Sequence, residues 1–112
     1  MPVLKKSVDF VAKLKYLKTE QGGRKTPAFS GYRPQVKFDF IEMQTSGQQV
    51  FMDQKIVYPG EEVTAEISLL SSAFLEKALF IGQSFEFREG SRVIGHGQII
   101  EVINKILEKD IA

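Results

Sequence analysis

Charged side chains suited to surface recognition lie around one predicted hairpin turn. Arg88, Glu89 and Arg92 flank Gly90-Ser91, and a second basic pair, Arg24-Lys25, lies in a glycine-rich segment far away in the sequence. Guanidinium groups form strong, often paired hydrogen bonds with anionic groups such as phosphates. These residue types therefore predict contact with a charged surface rather than bond-breaking chemistry.

Motifs that support catalysis are missing from the sequence. There is no G-x-x-x-x-G-K-[ST] loop to cradle nucleotide phosphates and no G-x-S-x-G turn to present a serine nucleophile. The single histidine, His96, has neither a cysteine nor closely spaced carboxylates with which to bind a metal ion. Gly95 and Gly97 lack the third glycine of a dinucleotide loop, so we attribute them to close backbone packing. We expect no catalytic residue, no metal site and no nucleotide or other cofactor.

The length and composition favour one small domain. The 112 residues suffice for a single core, to which nine phenylalanines contribute, and the absence of cysteine excludes disulfides. The segment Met1–Lys6 has no apolar signal-peptide core, and no run approaches the roughly 20 apolar residues of a membrane span. We therefore expect a cytoplasmic protein that does not contact membranes.

The charge is unevenly distributed although the net charge is only +1. Residues 1–37 contain nine basic and two acidic residues, whereas residues 38–112 contain six basic and twelve acidic ones. Such asymmetry lets one face attract a polyanion. A nucleic-acid-binding domain usually carries a larger basic excess, so the net charge favours a protein partner and leaves RNA as the alternative.

Alternation of apolar and polar residues, the period of a β-strand, dominates the chain. Tyr58-Pro59-Gly60-Glu61 suits a type II turn, the segment 19–31 predicts a long connection, and the segment 71–82 is either a helical turn or a bent loop. Without long amphipathic helices between strands, the pattern predicts an antiparallel barrel or sandwich. The predicted strands are Val8 to Tyr16, Arg33 to Phe40, Gln49 to Val57, Val63 to Leu69, Gln83 to Arg88 and Arg92 to Asn104.

Bulky side chains are expected to fill the interior. In the last strand the apolar positions change phase at Ile100 and Val102, next to two glycines, which predicts a bulge or tight bend. The predicted inward set is Phe10, Leu14, Phe38, Phe40, Ile67 and Phe85.

Three segments, in the same order, resemble the third, carboxy-terminal domain of elongation factor Tu. They read GGRKTPAFSGYRPQV from Gly22, YPGEEV from Tyr58 and FEFREGSRVIGHG from Phe85. The family typically has G-G-R-x-T-P-F-F-x-x-Y-R-P-Q-F, M-P-G-D-x-V and R-E-G-G-R-T-V-G-x-G. The resemblance implies a closed six-stranded antiparallel β-barrel over residues 7–104. A short tail follows over residues 105–112, for which a helix is one option.

The resemblance also implies a function. In that family the barrel packs against the GTPase domain, contacts the exchange factor and touches the T-stem backbone of aminoacyl-tRNA. Gln35 and Glu89 match T-stem contacts, while the family's T-stem threonine falls at Gln44 or Thr45. We therefore expect a non-catalytic, translation-related interaction module. Its expected contacts to RNA or a partner are Arg24, Lys25, Arg33, Gln35, Arg88, Glu89 and Arg92.

The sequence also departs from the family. The GTPase domain and the barrel that holds the aminoacyl end are absent, and Ala28 and Ser91 replace a phenylalanine and a glycine. We expect a stand-alone domain that does not deliver tRNA by itself. One hypothesis is a module that binds a translation GTPase or its exchange factor. A second is an RNA-binding module on the tRNA T-stem backbone, with Lys13 and Lys15 contributing, and a third is a small-molecule-binding barrel.

Overall fold

Strands whose side chains alternate between interior and solvent make up most of the structure. The computed structural model describes residues 7–110, so Lys5 and Lys6 of the basic amino-terminal part and residues 111–112 of the tail lie outside it. Two short 3-10 turns cover Thr19–Gln21 and Ala73–Leu75. The strands are β1 (Phe10–Tyr16), β2 (Ala28–Phe29), β3 (Gln35–Lys37), β4 (Thr45–Phe51), β5 (Ile56–Val57), β6 (Glu62–Leu69), β7 (Ser84–Glu89) and β8 (Arg92–Val102).

Six of these strands close into a barrel in the order β1-β6-β4-β3-β7-β8. Every neighbouring pair is antiparallel, and β2 and β5 form a separate two-stranded sheet. The prediction of a closed six-stranded antiparallel barrel is therefore confirmed. No helix among residues 7–110 is long and apolar enough to cross a membrane.

Aromatic rings fill the barrel interior. The Phe10 ring lies 5.5 Å from that of Phe85 in an edge-to-face arrangement, and the Phe38 ring lies 5.4 Å from Phe85. Leu14 and Ile67 are also fully buried, as predicted. The small-molecule hypothesis requires empty space where these rings meet, so the packing gives it no support.

Phe40 was predicted to face the interior, and this prediction is wrong. Strand β3 ends at Lys37, and Phe40 is 50% exposed. The Lys37 ammonium donates hydrogen bonds to the carbonyl oxygens of Phe38 and Ile41, at 3.1 and 3.2 Å. These bonds stabilise a turn that directs the chain out of the sheet, so β3 ends after three residues.

A bulge in β8 explains the change of phase in its apolar pattern. Val11 of β1 pairs with Glu101 and Ala12 pairs with Ile99, so Ile100 has no partner in the ladder. The predicted bulge is confirmed, and Val102 is buried as expected. Ile100 is 45% exposed, so its predicted apolar role is wrong: as the bulged residue it turns outward.

The glycines of β8 make room for aromatic rings, as predicted. A Cβ atom at Gly95 would overlap the ring of Phe87, and one at Gly97 would overlap the ring of Phe85. Both rings belong to β7, which pairs with this part of β8. The two strands therefore approach closely only because these positions have no side chain.

This packing predicts that Gly97→Ala destabilises the barrel. The added methyl group collides with the Phe85 ring, and overpacking of a core of this kind costs about 2 kcal/mol of the free energy of unfolding. Urea unfolding monitored by circular dichroism measures the change. Gln98→Ala, at the exposed neighbouring position, is the control and should leave stability within about 0.5 kcal/mol of wild type. Equal stability of the two variants would contradict the packing argument.

A buried carboxylate joins three strands at one end of the barrel. Asp9 Oδ2 accepts a hydrogen bond from the Leu69 backbone N–H at 2.7 Å, and Oδ1 accepts one from the Asn104 side chain at 2.9 Å. Its carbonyl oxygen accepts the backbone N–H groups of Ile103 and Asn104. Asp9 thereby connects the start of β1 with the ends of β6 and β8.

The segments outside the strands differ in how well they were anticipated. Gly60 has φ +92° and Glu61 N–H donates to the Tyr58 carbonyl at 3.0 Å, which confirms the predicted turn. The ambiguous 71–82 segment contains one 3-10 turn. Residues 105–107 form a turn, Glu108 forms an isolated bridge with Leu79, and no helix is present over residues 105–110; Leu107 is buried against the core.

Candidate interaction site

Glu89, the last residue of β7, accepts hydrogen bonds from three side chains. Arg24 Nη1 and the Tyr32 hydroxyl both donate to Oε2, and Arg92 Nη2 donates to Oε1 at 3.0 Å. We call Arg24, Tyr32, Glu89 and Arg92 the Glu89 cluster. Arg24 lies between β1 and β2, Tyr32 lies between β2 and β3, and Arg92 is the first residue of β8. Three distant parts of the sequence therefore meet at one carboxylate.

The local backbone presents Arg24 to this carboxylate. Gly22, with φ +95°, ends the 3-10 turn at Thr19–Gln21, and the chain then reverses toward the barrel. Arg24 Nε donates to the Thr26 carbonyl at 3.2 Å, and Nη2 donates to Thr26 Oγ1 and the Pro27 carbonyl. Its guanidinium lies 4.6 Å from the centre of the Tyr32 ring. The Arg24 side chain therefore bonds mainly to other groups of the same chain.

The electrostatics keep Glu89 charged. Burial favours the neutral acid, but the Tyr32 hydrogen bond, the charge of Arg24 and the hydrogen bonds from Arg92 and Arg24 outweigh it and hold the pKa of Glu89 below its usual value. For Arg24, burial is likewise outweighed, and Tyr32 and Glu89 raise the pKa of the guanidinium. Burial, together with the bond to Glu89, raises the pKa of Tyr32. The cluster thus contains two cations, one anion and a neutral phenol at neutral pH.

The other predicted contact residues surround the cluster without joining it. Gln35 of β3 lies directly opposite Arg88 of β7, and Arg88 Nε donates to Glu86 at 2.9 Å. Lys25 and Arg33 are exposed, and neither forms an ion pair within residues 7–110. The structure therefore brings Arg24, Glu89 and Arg92 together and leaves Lys25 and Arg33 free at the surface. Whether any of these residues contacts RNA or a partner stays a prediction.

Two polar residues beneath the cluster escaped the sequence analysis as functional candidates. The buried Tyr16 hydroxyl donates to Oε1 of Gln49, whose side chain is 1% exposed. Burial, with a contribution from nearby Tyr32, raises the pKa of Tyr16. Gln49 Nε2 has no hydrogen-bond partner in the described part of the chain. Tyr16 is the last residue of a strand that the apolar–polar alternation predicted correctly. Gln49 lies in the strand with the weakest alternation, and nothing in the sequence indicated that its side chain is buried.

The two positions at which the family's T-stem threonine was expected differ in exposure. Thr45 is buried, and its Oγ1 accepts a hydrogen bond from the Ser71 backbone N–H at 2.9 Å. Gln44 is exposed. Thr45 is thus occupied inside the fold, and only Gln44 of the two has its side chain at the surface.

The fold and the cluster together define a small closed barrel with a partly exposed charged cluster at the end of β7. No three His, Asp or Glu side chains among residues 7–110 lie close enough together to hold a metal ion. A comparison with protein families matches residues 3–103 to the elongation factor Tu C-terminal domain. The chain belongs to this family, as its motifs predicted. The family is a non-catalytic, translation-factor domain, because the GTPase activity resides in the factor's first domain.

Proposed function

We propose that the barrel is a non-catalytic interaction module that binds a protein partner, such as a translation GTPase or its exchange factor, around the Glu89 cluster. The main support is the composition of this region, where arginines already paired with a carboxylate lie close in the chain to the turn that carries an exposed aromatic residue, Phe29. Phe29 is 63% exposed, and its carbonyl accepts the Tyr32 backbone N–H at 3.0 Å. Arginine and aromatic residues are enriched in protein interfaces and in their energetic hot spots.

The cluster residues have different tasks in this proposal. Arg24 and Glu89 are largely covered, with side chains 18% and 31% exposed, so they fix the shape of the surface and contact the partner only at their edges. Arg92 is 52% exposed and keeps donors available for a partner carboxylate. The remaining proposed contacts, at the surface beside them, are Lys25, Arg33, Gln35 and Arg88.

RNA is the second candidate, and the unpaired basic residues favour it. Lys25 and Arg33 have no acidic partner among residues 7–110, and Arg92 shares its carboxylate with Arg24. These groups fit a phosphate backbone such as the tRNA T-stem. So few phosphate contacts would give weak binding whose affinity falls steeply as salt increases.

The double variant Arg33→Glu/Arg92→Glu tests the proposal. We expect the purified domain to bind elongation factor Tu or its exchange factor in biolayer interferometry. The double variant should weaken that binding at least about 10-fold, as loss of an interface hot spot does. Lys105→Glu, an exposed charge reversal near the carboxyl-terminal end of the described chain, is the matched control and should bind like wild type.

Phe29→Ala separates the two candidates. Loss of the ring should weaken protein binding but leave contact with an RNA backbone unchanged, because phosphates do not need an aromatic partner. Binding to tRNA at about 20 mM salt that disappears near 150 mM, with no binding to either protein, would overturn the proposal in favour of RNA.

A further inference from the structure

A cleft opens where β3 ends early. The last ladder pair between β3 and β7 is Lys37 with Glu86, so Ser84 and Phe85 have no ladder partner on that side. The chain after Lys37 turns outward, and the segment before β7 approaches from the other side. The resulting cleft measures about 600 Å³, and its walls include Asp39, Phe40, Lys77, Phe80, Ser84 and Lys109.

Two phenylalanine rings give this cleft apolar walls that the fold holds in place. Phe40 is 50% exposed and Phe80 43% exposed. The Phe40 ring rests against buried Phe38 at 5.8 Å. Phe80 and Gln83 exchange two hydrogen bonds, at 3.3 and 3.2 Å, and Gln83 is itself buried. The rings are therefore presented to solvent on a supported backbone, which lowers the entropy cost of binding.

The charges of the cleft are separated between its walls. Lys77 and Lys109 lie on the Phe80 side, where the Lys109 ammonium is 5.4 Å from the centre of the Phe80 ring. Lys77 approaches Asp110 at 3.8 Å, but both side chains are mostly exposed, so this pair is weak. Asp39 lies on the Phe40 side and forms no ion pair within residues 7–110. An anionic group is thus attracted to one wall and repelled by the other.

We propose that this cleft binds an extended peptide segment of a partner protein, in which an apolar side chain is followed by an acidic residue. The apolar side chain enters between Phe40 and Phe80, and the carboxylate is held by Lys77 and Lys109. Asp39 sets the direction of the segment because it disfavours the reverse orientation. The volume lies within the range of sites that take small ligands or a few side chains. The unpaired start of β7 offers backbone groups of the kind that extended peptides use.

This site is distinct from the Glu89 cluster and does not depend on what that cluster binds. Ser84 begins β7 and lines the cleft, whereas Glu89 ends the same strand. Five residue steps of a strand separate them by about 17 Å. The two surfaces can therefore be occupied at the same time by different molecules.

A titration of ¹⁵N-labelled protein tests the cleft with two synthetic peptides. The probe is the capped peptide Gly-Ser-Leu-Glu-Asp-Gly, and its charge-reversed counterpart is Gly-Ser-Leu-Lys-Lys-Gly. We expect the acidic peptide to shift amide resonances of residues 37–40 and 77–84, while those of residues 89–92 remain unchanged. The basic peptide should bind at least about 10-fold more weakly because it meets the two ammonium groups.

Variants of exposed charged residues test the roles given to Lys77, Lys109 and Asp39 in the cleft. Lys77→Glu/Lys109→Glu should weaken binding of the acidic peptide about 10-fold, and Asp39→Asn should strengthen it about 3-fold. Lys55→Glu, an exposed control outside the cleft, should bind like wild type. Phe80→Ala provides a test independent of charge and should abolish measurable binding.

Several results would overturn the inference. Resonance shifts at residues 89–92 would show that the peptide binds at the Glu89 cluster instead of the cleft. Equal affinity for both peptides would show that the two lysines do not contribute to binding. Concentration-dependent shifts of residues 37–40 and 77–84 without peptide would show instead that a second copy of the chain covers the cleft. The failure of the elongation factor Tu experiment leaves this test unaffected, since the two surfaces are measured through different residues.

Discussion

Replacing Asp9 with alanine is expected to lower the free energy of unfolding by about 3 kcal/mol. The Asp9 carboxylate accepts the Leu69 backbone N–H and the Asn104 side-chain amide, and it is only 6% exposed. Hydrogen bonds to a charged acceptor contribute about 1.5–3 kcal/mol each, and a buried donor left without an acceptor adds a penalty of similar size. Because the bonds join β1, β6 and the chain after β8, their loss loosens the barrel closure.

Chemical denaturation of Asp9→Ala and Asp9→Asn measures this effect. The asparagine variant keeps one side-chain acceptor and should lose less stability than the alanine variant. Glu42→Ala, at an exposed acidic position, is the control and should change stability by less than about 0.5 kcal/mol. If Asp9→Ala unfolds at the same denaturant concentration as this control, Asp9 does not stabilise the closure.

The barrel was predictable because its signal is local. Alternation along β1, β6 and β7 reports directly which side chains face the core, and Gly60 marks its turn through a conformation that glycine favours. The motifs around Arg24 and Glu89 then specified the family. Each of these features can be recognised in a few consecutive residues.

The errors and omissions arise from contacts between distant residues. Strand β3 ends at Lys37 because its ammonium binds carbonyls in the following turn, and nothing in the alternation of Phe38 and Phe40 reveals this. The strand predicted from Gln49 to Val57 is wrong at both ends. Strand β4 begins earlier, at Thr45, where it pairs with β3 and then β6, and it ends at Phe51, while Ile56–Val57 form the separate strand β5. These strand boundaries depend on how each strand pairs with its neighbours, and the sequence of one strand alone does not reveal that pairing.

The candidate site shows the same division. The residue types of Arg24, Glu89 and Arg92 predicted surface chemistry, and the family resemblance singled out Glu89. In the structure, one carboxylate accepts hydrogen bonds from both arginines and from Tyr32. This arrangement exists only because the segments before and after β2 meet the β7–β8 hairpin in the folded chain. The structure therefore adds a distinction between largely covered residues that shape the surface and exposed ones available to a partner.

Acidification is expected to destabilise the wild-type barrel more than Glu89→Gln. The neighbours of Glu89 hold its pKa below the usual value, so its charged form stabilises the folded state. This contribution is complete above the unfolded-state pKa, near the ordinary 4.5, and is lost as the pH falls through the lower folded-state pKa. At neutral pH the glutamine variant should be about 2 kcal/mol less stable, because Arg24 and Arg92 lose their anionic acceptor.

The difference between wild type and Glu89→Gln should therefore shrink as the pH falls. Urea unfolding at about pH 7 and pH 3 measures it, since pH 3 lies below the ordinary pKa of a glutamate, where this stabilisation is already reduced. Glu101→Gln, at an exposed glutamate without an ion pair within residues 7–110, should follow the wild-type pH dependence. A constant difference between wild type and Glu89→Gln across this range would mean that the charge of Glu89 does not stabilise the fold. Arg24 would then be positioned by Thr26, Pro27 and the Tyr32 ring alone, and the part of the surface that Arg24 shapes would persist without the carboxylate.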